Sequence, residues 1–247
     1  MNDRNAFTRK LFLDSGIEAG MRILDVGCGA GEVSFLMQEI LEDTSEIVGI
    51  DINEELISAA QNIATERGCQ HTRFFTMDIA DEARELGTFD AIIGRRILMY
   101  LPDPFQTIKD LITCLKPGGR IVFQESDAIG AGELIEKFPL HTRVQQWVWE
   151  TVSKEQGNIH IGSELYTLFL QAGLQIQEVR SEAVLQTIET GSDLVWLLKV
   201  MEKRIIQAEV ATKKEMDEIS EEKLMQEMEK AQSVFIRDMN FGIYATK

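Results

Sequence analysis

A chain of 247 residues is long enough for one large α/β domain with its own core and short for two ordinary ones. Its formal net charge of −16 and isoelectric point near 4.7 oppose tight association with nucleic acid or an anionic membrane, since both demand a basic footprint. Cys28, Cys69 and Cys114 are odd in number, far apart and without metal-ligand spacing, the pattern of reduced thiols in a protein that holds no metal. The sequence shows neither a signal-like apolar run at its amino terminus nor a stretch long enough to span a bilayer, so the expectation is a cytoplasmic protein.

Residues 3–16 place Phe7, Leu11 and Phe12 on one side of a short predicted helix that Gly16 stops. Met21 to Val26 follow as a buried strand. It runs into Gly27, Gly29 and Gly31, where bare backbone turns sharply and comes close to a ligand. Val33, Leu36, Met37, Ile40 and Leu41 then recur at helical spacing, so a helix opening near Ala30 aims its free amides back at the loop. Glu46 to Ile50 is the second strand, and Asp51 closes it about 20 residues beyond the last glycine, the spacing at which a carboxylate accepts from two ribose hydroxyls. A dinucleotide fingerprint has its third glycine three positions after the second, where this chain has Glu32. Glu32 and Asp25 are poorly placed beside phosphates and well placed beside a cation, which favours S-adenosylmethionine, a phosphate-free nucleoside bearing an ammonium and a sulfonium.

The run Ile23-Leu-Asp-Val-Gly-Cys-Gly-Ala-Gly31 resembles the first motif of class I S-adenosylmethionine-dependent methyltransferases. That resemblance implies cofactor contacts from Asp25, Gly27, Cys28, Gly29, Gly31, Asp51 and Ile52. It also implies a leading segment that covers the cofactor or lines the acceptor pocket; the alternative for residues 3–16 is plain packing on the sheet.

Asn53 caps a predicted helix with Leu56, Ala60, Ile63 and Ala64 on its apolar face and Gly68 at its end. The third strand is Thr72 to Met77. By resemblance Asp78 accepts from the adenine amino group and Ile79 packs on the ring; otherwise Asp78 caps a helix over residues 80–86. Phe89 to Ile93 is the fourth strand and opens into Gly94-Arg95-Arg96, where Arg95 either holds the methionine carboxylate or a substrate anion, or forms a surface ion pair. Asp103-Pro104 starts a helix that Lys116-Pro-Gly-Gly119 breaks before a strand over Arg120 to Gln124. The Leu-Lys-Pro-Gly-Gly turn is a second point of resemblance to these methyltransferases. The alternation of strand, helix and turn predicts an α/β fold: a Rossmann-like, seven-stranded, mostly parallel sheet with helices on both faces and a helical insertion near the C-terminus.

Residues 132–156 are a predicted helix whose core stripe includes Trp147 and omits Trp149, and a further helix runs from Gly162 to Gly173. A sixth strand over Leu174 to Leu185, a charged helical insertion from Ser192 to about Arg237 with a capping box at Thr212 and Glu215, and a last strand from Asn240 to Thr246 complete the chain. One domain over 1–247 is expected in a monomer or homodimer, with a helical segment at 1–20, a cofactor-binding core at 21–128, and additions at 129–173 and 190–237 forming an acceptor-side cap, of which 190–237 is either a lid over the acceptor or a self-association surface.

Methyl transfer from a sulfonium is an in-line displacement, so few residues need be catalytic beyond those that hold the reactants and take a proton from the acceptor. The candidates are His141 and His160, in the region after the fifth strand, and Glu125 at that strand's end, each with a structural alternative. The functional expectation is methylation of an oxygen or nitrogen atom of a small molecule, with no nucleic acid and no membrane as partner. Its rivals are a non-catalytic S-adenosylmethionine-binding protein and an NAD(P)-dependent oxidoreductase.

Overall fold

A computed structural model describes residues 5–42, 44–79, 83–130 and 136–247. Seven strands, β1 (Arg22–Val26), β2 (Glu46–Asp51), β3 (Thr72–Thr76), β4 (Phe89–Arg95), β5 (Leu115–Asp127), β6 (Gln175–Gln186) and β7 (Phe235–Thr246), form one sheet in the order β3-β2-β1-β4-β5-β7-β6. The first five run parallel, as their helical crossovers require. The helices are α1 (Ala6–Asp14), α2 (Glu32–Ile40), α3 (Glu54–Arg67), α4 (Pro104–Thr113), α5 (Pro139–Lys154), α6 (Ile161–Gln171), α7 (Leu194–Gln207), α8 (Lys213–Asp217) and α9 (Glu221–Ala231).

The chain divides into two compact units. One holds residues up to Glu125 together with Gly162–Arg180 and Phe241–Lys247. Its strands β1, β2 and β4 are nearly continuous apolar runs because both sheet faces are covered, and Ile23, Ile47 and Ile93 are completely buried. Phe7, Leu11 and Phe12 of α1 join Val33, Leu36 and Met37 of α2 in one core cluster; each such side chain removed from water contributes about 1.5–3 kcal/mol. The leading helix is therefore core, in keeping with packing on the sheet. Local signals set the other boundaries: Asn53 caps α3 through the Leu56 amide at 3.1 Å, Gly68 ends it in the left-handed region, and Asp103 caps α4 through the Gln106 amide at 2.8 Å.

The other unit holds Ser126–Ile161 and Ser181–Asn240. Here Phe138, His141 and Phe235 pack ring against ring with centroids 5.0–5.5 Å apart. Glu227 of α9 accepts the Leu140 and His141 amides at 2.8 and 3.0 Å, capping α5 from a distant part of the chain. Thr212 and Glu215 form the expected capping box of α8.

Several boundaries differ from expectation for identifiable reasons. Strand β5 begins at Leu115 rather than Arg120, because Leu115 pairs with Phe89 and the Lys-Pro-Gly-Gly segment bulges out before pairing resumes between Ala91 and Arg120. Strand β7 begins at Phe235 rather than Asn240, since Phe235 is 1% exposed in the aromatic cluster. The buried residues of α5 are His141, Thr142, Val144, Gln145, Trp149, Thr151 and Val152, so Val144, Thr151 and Val152 lie in the core as expected while Trp149 is core and Trp147 only half-buried; the polar members His141 and Gln145 hid that register. A 3-10 turn occupies Ala83–Leu86, while residues 80–82 of the expected helix, residues 3–4 of the first, and 132–135 of the helix expected from 132 lie outside the described residues.

Candidate cofactor site

Strand register brings the site together. Val26 lies opposite Ile50 on one side and Gly94 on the other, and Arg95 lies opposite Gln124, so Gly27, Asp51 and Arg95 leave their strands side by side at the carboxyl edge. The strand order reverses between β1 and its two neighbours, the switch point where ligands enter open α/β sheets.

The glycines do different work there. Gly27, with φ +66°, lies under Ile97, and a Cβ there would come within 2.5 Å of it. Gly31, with φ +85°, is closed in by Phe35 and Phe74. At Gly29 an added Cβ would meet only Leu56, at 3.9 Å, so the middle of the turn borders open space. The Gly29 amide donates to Asp51 Oδ2 at 2.9 Å and the Asn53 amide to Asp51 Oδ1 at 2.8 Å, which fixes the carboxylate against the turn. Each oxygen keeps a further lone pair for a ribose hydroxyl. Ile52 beside it is 73% exposed, an apolar surface of the kind a purine ring covers. The Met77 amide donates to the Asp51 carbonyl at 3.0 Å, so Asp78, exposed, and Ile79, buried, follow at the neighbouring strand end. The Cys28 amide donates to the Ile50 carbonyl, and burial pushes its thiol well above the usual range, leaving it an inert packing group.

Three carboxylates surround the turn. Asp25 is 1% exposed and accepts from Ser34 Oγ at 2.6 Å; burial raises its pKa to about 7 against the opposing pull of that bond and of Arg95. Glu32, at the start of α2, lies 2.6 Å from Arg95 Nη2. Asp25 is therefore an internal group, Glu32 is engaged by Arg95, and Asp51 is the carboxylate beside the open middle of the turn. Arg95, its side chain 7% exposed, also donates to Asn5 Oδ1 at 2.8 Å. It is a buried cross-link between α1, β4 and α2 rather than a surface ion pair.

Glu125 is fully buried, and its Oε1 accepts the Ile97 and Leu98 amides at 3.0 and 2.9 Å, holding the loop after β4 whose Ile97 covers Gly27. Its Oε2 is buried without a hydrogen-bond partner, and burial raises the carboxyl to about 7. Glu125 thus positions a loop instead of facing an open pocket. In the other unit, the His141 imidazole is fully buried with Nδ1 2.6 Å from Glu227 Oε2, and desolvation lowers its pKa. His160 differs: its side chain is 54% exposed and its Nδ1 lies 3.1 Å from Oδ1 of Asp127, whose side chain is fully buried. Asp127 was not singled out from sequence, because nothing local links it to a histidine 33 positions later.

A family model described as a methyltransferase domain matches residues 17–232. The chain belongs to the class I S-adenosylmethionine-dependent methyltransferase family. Among curated relatives, the ubiquinone biosynthesis O-methyltransferase of Xanthomonas axonopodis pv. citri is 30% identical over 167 residues, 65% of either chain, and that of Vibrio parahaemolyticus is 32% identical over 105 residues, 42% of this chain and 43% of the relative. The matched segments thus span less than two thirds of these relatives. Of solved structures, the [4+2]-cyclase SpnF shares the fold with a TM-score of 0.66 at 20% identity, covering 98% of this chain and 81% of that one. S-adenosylmethionine is the methyl donor of this family. Among the described residues no helix is long and apolar enough to cross a membrane, and no cluster of metal-ligating side chains occurs.

Proposed function

We propose that this methyltransferase moves the methyl group of S-adenosylmethionine to an oxygen or nitrogen atom of a small molecule. The observation that carries the reading is the Gly29 turn, open on one side and held by the Asp51 carboxylate, which suits ribose hydroxyls and disfavours a phosphate beside it. The small-molecule acceptor is supported by relatives named for ubiquinone biosynthesis and by the net charge of −16, which disfavours a polyanionic substrate. Bound donor supplies an electrophilic methyl carbon; the chain's own part is to hold donor and acceptor in line and to remove the acceptor's proton.

The test is transfer of labelled methyl from S-adenosylmethionine to a panel of phenols, carboxylic acids and amines. Labelled product together with S-adenosylhomocysteine is expected. A second reading, a donor-binding protein that performs another reaction or none, is favoured by one observation: a solved protein of the same fold is a [4+2]-cyclase. Tight donor binding with no labelled product from any acceptor would establish it.

A further inference from the structure

Arg95 is held asymmetrically. Its guanidinium is buried, and two neutral side chains of the first helical segment hold Nη1: Asn5 Oδ1 at 2.8 Å and, at the longer distance of 3.4 Å, Thr8 Oγ1. Thr8 is in turn fixed by donating to Gln124 Oε1 at 2.6 Å. Among the described residues Glu32 is the one carboxylate in ion-pair contact with the guanidinium, with the buried Asp25 a further electrostatic neighbour, and the Glu32 side chain is 57% exposed against 7% for Arg95. The cation therefore stays in place if Glu32 leaves, and an exposed carboxylate is cheap to release because water rehydrates it.

Glu32 is also the residue that follows the last glycine of the turn, on the first position of α2. A donor lying along this turn brings its own carboxylate, and a guanidinium is the group whose planar fork matches a carboxylate. We propose that Glu32 is an internal stand-in for the donor's carboxylate: it neutralises Arg95 in the free protein and is displaced from it when the cofactor binds. The inference rests on the reading of the donor as S-adenosylmethionine. It makes Glu32 a brake on affinity, so the chain binds its cofactor less tightly than the same site without the competing anion.

Two ligands separate this from a general effect on the site. S-adenosylhomocysteine carries the amino-acid end, while 5′-methylthioadenosine has the same nucleoside thioether without it. By titration calorimetry, Glu32→Gln should bind S-adenosylhomocysteine about three- to fivefold more tightly than wild type, with 5′-methylthioadenosine changed by less than about twofold. Arg95→Gln should lose affinity for S-adenosylhomocysteine alone, and Glu32→Gln should bring no gain on that background. If Arg95→Gln fails to fold, Glu32→Gln decides by itself, since its side chain is more than half exposed. Unchanged or weakened binding of S-adenosylhomocysteine to Glu32→Gln overturns the inference, showing that the pair persists or that Glu32 holds the ligand's ammonium. A wild-type chain that binds neither ligand overturns the cofactor reading itself.

Discussion

The carboxylates at the sheet edge have separate tasks, set by what each oxygen already accepts. Asp51 meets two backbone amides and stands beside an exposed isoleucine, and the proposed ribose would use its remaining lone pairs. Asp51→Ala should weaken S-adenosylhomocysteine binding about tenfold to a hundredfold by calorimetry, the loss of charge-assisted hydrogen bonds of roughly 1.5–3 kcal/mol; unchanged affinity would remove the ribose assignment. Glu125 is an internal clamp whose carboxyl titrates near 7 instead of the ordinary 4.5 because it is buried. The native state keeps this proton where the unfolded chain has lost it, so stability from Glu125 is complete below about pH 4.5 and lost as pH rises through 7. Glu125→Gln, which cannot ionise, should match wild type in urea unfolding at pH 5 and exceed it at pH 8, by on the order of 3 kcal/mol. An identical pH dependence in both proteins would contradict that assignment. The glycine spacing and Asp51 were legible in the sequence because each lies within one strand-turn-helix unit. The partners Asp127 of His160, Glu227 of His141 and Asn5 of Arg95 were not, being 33, 86 and 90 positions away in the chain.

At the scale of elements, caps and breakers marked most ends, and the misses have tertiary causes. Asn53, Gly68, Asp103, Thr212 and Glu215 act locally and give α3, α4 and α8 their expected starts or stops. The start of α5 carries a local signal in Pro139 at its first position, but its end amides are capped by Glu227, which arrives from α9. Strand β7 is longer than its pattern because Phe235 is drawn into a ring cluster with Phe138 and His141. Glu227 serves that cluster twice, as the cap of α5 and as the partner of a buried imidazole. Glu227→Ala would leave two amides and one ring N–H without acceptors and should cost about 3 kcal/mol in chemical denaturation. A loss below about 0.5 kcal/mol would show that water replaces the carboxylate.

At the scale of the whole molecule, the parallel order β3-β2-β1-β4-β5 brings the Gly27–Gly31 turn, Asp51 and Arg95 to one edge, where we place the donor of the family to which the chain belongs. The most direct measurement is a crystal structure of the chain with S-adenosylhomocysteine. The account predicts both ribose hydroxyls within hydrogen-bonding distance of Asp51, the purine against Ile52 and Ile79, and the ligand's carboxylate on Arg95 with Glu32 turned away. A crevice left empty at saturating ligand, or one that takes the pyrophosphate of NAD at Gly27–Gly31 instead, would contradict it.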